Sequence, residues 1–195
     1  PDPTVKRQSG FLMPSFDDSS SLGMSFNLPY YHVISKDKDL TLIPRFYSND
    51  KLLTQSEYRQ VSKNSDHIID ASIVAEKNSS AKSHFFSKSN KKLDFAYFDE
   101  VDLSFQLQQV TNDTYLKTYK ITSPIVSDYN SLKSSVAIEA YKESFTFNAD
   151  LQVYENLSKE NNDRYEYIFP NYNLTKEFNI DEKINGNFSL NSSGY

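Results

Sequence analysis

The strongest constraint in this chain is a two-residue rhythm. Between Leu22 and Tyr30, the apolar Leu22, Met24, Phe26, Leu28 and Tyr30 fall on one side of an extended backbone. Gly23, Ser25 and Asn27 fall on the other. Side chains of a strand point alternately to opposite faces, so period two marks a strand lying between unlike surroundings. Val101, Leu103, Phe105 and Leu107 oppose Asp102, Ser104, Gln106 and Gln108 in the same way. Phe145, Phe147, Ala149, Leu151 and Val153 oppose Thr146, Asn148, Asp150 and Gln152. Near the end, Ile184, Gly186, Phe188 and Leu190 oppose Lys183, Asn185, Asn187 and Ser189.

Weaker strand signals fill 39–48, 51–62, 66–76, 82–89, 131–142 and 164–175. The stretches SKDKD, SNDK, KNSD, KNSSAK, KSNKK and NLSKENNDR between them are turn chemistry. Such short polar linkers favour antiparallel neighbours. Residues 111–130 are less regular and suit a short helical turn or a loop. No amphipathic helix is evident. The pattern predicts an all-β fold, an antiparallel meander of about ten strands.

Tyr and Phe number 14 each against only 4 Gly, in keeping with strands. A net charge of −5 without a basic stripe argues against nucleic acid as a partner. The absence of cysteine rules out disulfides and thiolate metal ligands within these residues. The chain opens on PDPTVKRQSG, without a Met or an apolar leader, and reads as a piece excised from a longer protein.

Alternation has two physical readings. In a soluble periplasmic or secreted β-sandwich that binds a ligand, the apolar face meets a core and the polar face meets water. In an outer-membrane barrel the apolar face meets lipid and the polar face an aqueous bore. The pattern alone does not separate them. Strand length, about 10 residues, favours the barrel. So do the aromatics Tyr30, Tyr31, Tyr47 and Tyr141 near strand ends, placed like an interfacial girdle.

Two prolines interrupt neighbouring strands: Pro29 in LGMSFNLPYYHVIS and Pro44 in LTLIPRFYS. Proline cannot donate to a ladder and ordinarily marks an edge or a bulge. Lying 15 residues apart across a turn near 35–38, the two are expected at similar heights of one hairpin. A wall that lacks hydrogen bonds there is a wall able to open sideways.

Catalytic chemistry has no foothold in the sequence. His32, His67 and His84 are scattered, and HExxH, GxSxG and phosphate-cradling glycine loops are absent. Solvent-facing or turn histidines are the plainer account, so neither metal nor cofactor is expected and the chain reads as a non-enzyme. Glu57 and Arg59 share a strand face and suit either a luminal pair or a solvated one. Glu100 and Asp102, with Asp99 beside them, read as a solvated strand end rather than a cation site.

RQSGFLMPSF (7–16), then LPYYHVISKDKDLTLIPRFYS and SEYRQ (56–60), resemble the LptD family of outer-membrane lipopolysaccharide-assembly proteins, also called the organic-solvent-tolerance family. DTYLKTY (113–119) and DRYEYIFPNYNL (163–174) resemble alphaproteobacterial members. The resemblance implies a periplasmic β-jelly-roll followed by a very large antiparallel barrel. It implies residues 1–19 as the connector from the jelly-roll and 20–195 as the first part of the barrel. It places Pro29 and Pro44 at a lateral gate, and Arg7, Ser9 and Gly10 at the hinge between domains. It implies lipopolysaccharide as cargo, outer-membrane lipid as surroundings, and two partners, an LptE-like plug lipoprotein and an LptA-like periplasmic bridge protein.

Overall fold

The computed structural model describes residues 7–75, 80–159, 163–178 and 188–195. It begins with β1 (Gly10–Phe11), β2 (Ser15–Ser19), β3 (Gly23–Asn27), β4 (Tyr30–Ser35), β5 (Lys38–Tyr47) and β6 (Leu52–Val61). β7 (Ser65–Ala75), β8 (Lys82–Lys92) and β9 (Glu100–Val110) lead to a single helical turn, α1 (Tyr115–Thr118). β10 (Ser131–Lys142), β11 (Phe145–Asn156), β12 (Tyr165–Phe178) and β13 (Phe188–Gly194) complete the chain. From β5 to β12 every strand has 10 to 14 residues, enough to cross a bilayer's hydrocarbon at a tilt.

Among the described residues all 13 strands belong to one antiparallel sheet, in which each neighbour from β4 to β13 follows along the chain, while β1 pairs with β4 and β3 pairs with β2 and β5. The expected meander is therefore present, and among the described residues no second sheet faces it, as a sandwich requires. The alternation expected at 183–187 lies outside the described residues; Phe188 and Leu190 stand in β13.

Cross-strand register sorts the side chains into two faces. Along one face runs the row Asn90, Ser104, Ala137, Asp150 and Asn171; beside it run Lys92, Asp102, Glu139, Asn148 and Asn173. On the opposite face run Leu103, Ile138, Ala149 and Tyr172, then Phe105, Val136 and Leu151. The burial is inside out. Asp70 is 0% exposed and Gln55 3%, whereas Met24 is 64% exposed and Ile73 51%. Each Leu, Ile or Phe moved from water into hydrocarbon contributes about 1.5–3 kcal/mol. Water is thus the wrong solvent for the outer face, and a continuous apolar band of this kind marks a contact surface.

Only one end of the inner face is apolar. There Leu53, Val74, Phe86 and Leu132 form a core with Tyr115, Leu116, Tyr119, Ile121 and Ile125 of the 111–130 connector. The connector folds inward over the sheet rather than away from it. Strand ends from β5 to β10 converge on it.

Candidate functional site

β3 and β4 are one strand broken in two. Across β5 the register is continuous: Asn27 faces Arg45 and Tyr30 faces Leu42. Pro29 lies in the break between them and not within a ladder, in contrast to the mid-strand place the sequence gives it. The residue following a break is where a proline costs least. Pro44 does sit inside β5, opposite Thr54 of β6. The two prolines meet at one height, as expected, because Pro44 stands opposite Leu28.

Their missing donors face different ways. The Leu28 N–H donates to the Pro44 carbonyl (3.2 Å), so Pro44 turns its polar edge toward β3 and β4. The reciprocal bond from Pro44 to Leu28 cannot form. The Pro29 carbonyl instead accepts from the Leu12 N–H (2.8 Å), on the side away from β5. One proline strips a donor from each flank of the same strand.

The outer flank of β3 and β4 is covered by β2, five residues paired with β3, and β1, two residues paired with β4. Gly23 makes the turn from β2 possible: its φ of +73° is left-handed, and a Cβ there would meet Ser48 Oγ at 2.5 Å. Arg7, Ser9 and Gly10 lie against the far end of β4. Ser9 Oγ accepts the Val33 N–H (2.8 Å) and lies 3.5 Å from His32 Nδ1, and Gly10 pairs with Tyr31. Arg7 ion-pairs with the buried Asp39, which also takes Arg59 Nε at 2.8 Å. Arg59 in turn lies 3.4 Å from Glu57 Oε1, so the Glu57–Arg59 pair is made, and on the inner face. Arg7, Asp39 and Arg59 line one open cleft with Lys36, Asp37 and Val61.

The connector is pinned by side chains from the strands. Arg45 donates from Nε to Asn27 Oδ1 (2.7 Å) and from Nη1 to the Tyr119 carbonyl (2.5 Å). Gln55 Nε2 donates to the Thr122 carbonyl, and Gln108 Nε2 to the Ile125 carbonyl. Arg164 clamps the outer turn, with Nη1 2.9 Å from Asp113 Oδ2 and Nε 2.9 Å from Glu155 Oε1. The guanidinium holds the Asp113 carboxyl below its ordinary range, and the two carboxylates hold Arg164 charged. Burial pushes the Tyr115 phenol up to about 12, so it stays protonated.

His84 overturns the expectation of solvent-facing or turn histidines. It is 2% exposed, with Ser72 Oγ 2.6 Å from Nδ1. Nothing in SHFFSK distinguishes this residue from a surface histidine. The aromatic girdle also needs correction. Tyr47 points inward, 8% exposed, into the core beside Tyr119. The outward aromatic row is instead Tyr165, Tyr167 and Phe169 of β12, with rings about 6 Å apart. At the acidic strand end, Glu100 pairs with Lys92, and Asp99 Oδ2 accepts the Glu143 N–H. No group of three metal-ligating side chains occurs among the described residues.

A single antiparallel meander with an apolar outside and a polar inside defines the class: this is wall of the β-barrel type. No family profile matches the chain. Curated relatives do, and several carry one name. The chain is 36% identical over 77 residues to the LPS-assembly protein LptD of Pseudomonas putida (strain W619), covering 40% of the chain and 8% of that protein. It is 34% identical over 73 residues to LptD of Pseudomonas aeruginosa, covering 37% and 8%. A longer match, 26% identical over 159 residues, reaches 77% of the chain and 17% of LptD from another Pseudomonas putida strain. The chain thus spans under a tenth of the length of the first relatives it matches. These likenesses support a fragment of an LPS-assembly protein LptD.

Proposed function

We propose that this chain forms the early wall of an outer-membrane β-barrel that assembles lipopolysaccharide, inserting it into the outer leaflet through a sideways opening. The relatives' name gives the cargo. The inverted faces suit the medium: lipid outside, a watery bore inside. Moving an amphiphile needs no bond chemistry. It needs a polar path for sugar and an exit for acyl chains, and the exit exists only if the wall parts.

The observation that carries this reading is the placement of Pro29 and Pro44. Each ladder bond left unmade lowers the cost of parting strands by about 0.5–1.5 kcal/mol. Because Pro44 and Pro29 each weaken a different flank of the same strand, parting is favoured on either flank by about two- to tenfold. The donor is deleted rather than stranded, which matters where unpaired groups meet hydrocarbon. Among the described residues the edge beyond Pro29 is held only by β1 and β2, so a closing strand meets a short cover there. On this reading residues 1–19 connect to a periplasmic domain, with Arg7, Ser9 and Gly10 as the hinge. An LptE-like plug and an LptA-like bridge complete the path.

The test replaces Pro29 and Pro44 together by threonine in the full-length protein and measures lipopolysaccharide at the cell surface. Delivery falls several-fold at normal protein level if the seam must part. Unchanged delivery at normal protein level contradicts the gate.

A further inference from the structure

At the end of the sheet opposite the connector, a loop lies on the lipid side of the wall. Residues 93–99 join β8 to β9. The Leu93 N–H donates to the Val101 carbonyl (2.8 Å), and the Asp99 N–H to the Tyr141 carbonyl (2.9 Å). Register pairs Val101 with Ala140 and puts both on the outer face, in step with Leu103 and Ile138. Yet they are 2% and 4% exposed, whereas Phe105 and Val136, further along the same strands, are 40% and 42%. The loop is folded over them. Phe98 packs on Phe145 with ring centroids 6.1 Å apart, and Tyr97 lies under the Lys142 ammonium, 3.8 Å from the ring centroid. Lys142 and Phe145 face each other across the β10–β11 ladder, in step with the outward Ala140 and Phe147.

A loop on the lipid side has no place in hydrocarbon, because its amides and carbonyls need water or headgroups. Residues 93–99 therefore mark the depth of the bilayer interface, level with the ends of β10 and β11. Phe95 and Tyr97 stay uncovered there, as interfacial aromatics do.

Two lysines border the same step. Phe145 has Lys142 on one side and Lys176 on the other, so the lysines stand about 10 Å apart on the outer face. Neither ammonium is in an ion pair among the described residues. Lys142 rests on the Tyr97 ring, and Lys176 Nζ donates to Ser144 Oγ (3.0 Å). The acids at this end are turned to other tasks: Asp99 Oδ2 accepts the Glu143 N–H, and Glu177 belongs by register to the inner face. Beyond the lysines the outer wall is apolar, with Ala140, Phe147 and Leu174 in the next row. Positive charge at the interface, aromatics at the same depth and apolar surface beyond it together fit an amphiphile with an anionic head.

We propose that this step is a headgroup site for an anionic glycerophospholipid. Lys142 and Lys176 hold the phosphate with the Ser144 hydroxyl, Tyr97 and Phe98 flank the glycerol, and the acyl chains run along the Phe147–Leu174 surface. This end of the sheet also carries Arg7, which the reading above turns toward the periplasm. The lipid is therefore one of that leaflet and not the cargo delivered to the other. The inference rests on the outer face lying in lipid, but not on the gate.

Photocrosslinking tests it on the full-length protein in nanodiscs of equal phosphatidylglycerol and phosphatidylcholine with identical chains. p-Benzoylphenylalanine replaces Phe95 in one sample and Leu151, in the middle of the outer wall, in another. Adducts are identified by mass spectrometry. At Phe95 the expected capture favours phosphatidylglycerol about tenfold, the effect of two lysines at a membrane surface. Lys142→Gln with Lys176→Gln brings that ratio to near unity without lowering total lipid capture. Lys88→Gln with Lys133→Gln removes the same charge from the inner face and leaves the ratio unchanged. A wild-type ratio near unity, or a ratio that survives loss of Lys142 and Lys176, overturns the site. So does a protein adduct in place of lipid when the Phe95 sample is irradiated in intact cells. Lipid captured at Leu151 without preference at Phe95 refutes the headgroup site alone, whereas no lipid at Leu151 refutes the lipid-facing wall itself.

Discussion

Arg45 joins three pieces of the molecule through one guanidinium: its own strand, Asn27 across the ladder, and the Tyr119 carbonyl of the connector. Arg45→Met preserves the stem but removes both donations. The expected loss is about 1–3 kcal/mol in denaturant unfolding of detergent-refolded protein. Gly23→Ala is expected to cost about 1 kcal/mol or more by the same measurement, because its left-handed turn disfavours any Cβ. The Arg164–Asp113 pair adds a pH dependence. Asp113 titrates lower in the folded state than unfolded, so its contribution is complete above the ordinary carboxylate range, near pH 4. Acidification through and below that range removes it. Arg164→Gln therefore abolishes the part of the acid-induced loosening at 111–114 that hydrogen exchange detects below about pH 4. At this scale the sequence was half legible. Glu57–Arg59 follows from two residues on one strand face, since that contact is local. The Arg7–Asp39 and Ser72–His84 contacts join residues 32 and 12 positions apart, and no local pattern announces them.

The strands are legible because their two faces meet different solvents, and that difference writes period two into the sequence. The same rule hid the connector. Leu53, Val74 and Phe86 are apolar residues at inward positions of an otherwise polar face, and they lie toward one end of the sheet. That local break in polarity is the signal that something must cover them. Replacing 112–129 by a short Gly/Ser linker uncovers this core while leaving the β9–β10 ladder intact. Protease cleavage within the linker, together with unchanged far-ultraviolet circular dichroism, is the expected pair of results. The prolines show the same division. That they share a height follows from their spacing about a turn. That they disarm opposite flanks of one strand depends on which way each carbonyl points, and alternation is silent on that.

For the whole molecule, everything rests on the outer face lying in hydrocarbon. A sheet with Ile73, Phe105, Val136 and Leu151 outward and Gln55, Ser104 and Asn148 inward has no stable place in water as a single layer. Nor does a sandwich rescue it, since among the described residues every strand belongs to one sheet. The direct measurement places single spin labels at Ile73, Phe105, Leu151, Gln55, Ser104 and Asn148 of the full-length protein in bilayers. Collision with oxygen, which concentrates in lipid, is compared with collision with a water-soluble nickel chelate. Lipid access at the first three positions and water access or burial at the last three is the expected result. Water access at Ile73, Phe105 and Leu151 would contradict the account.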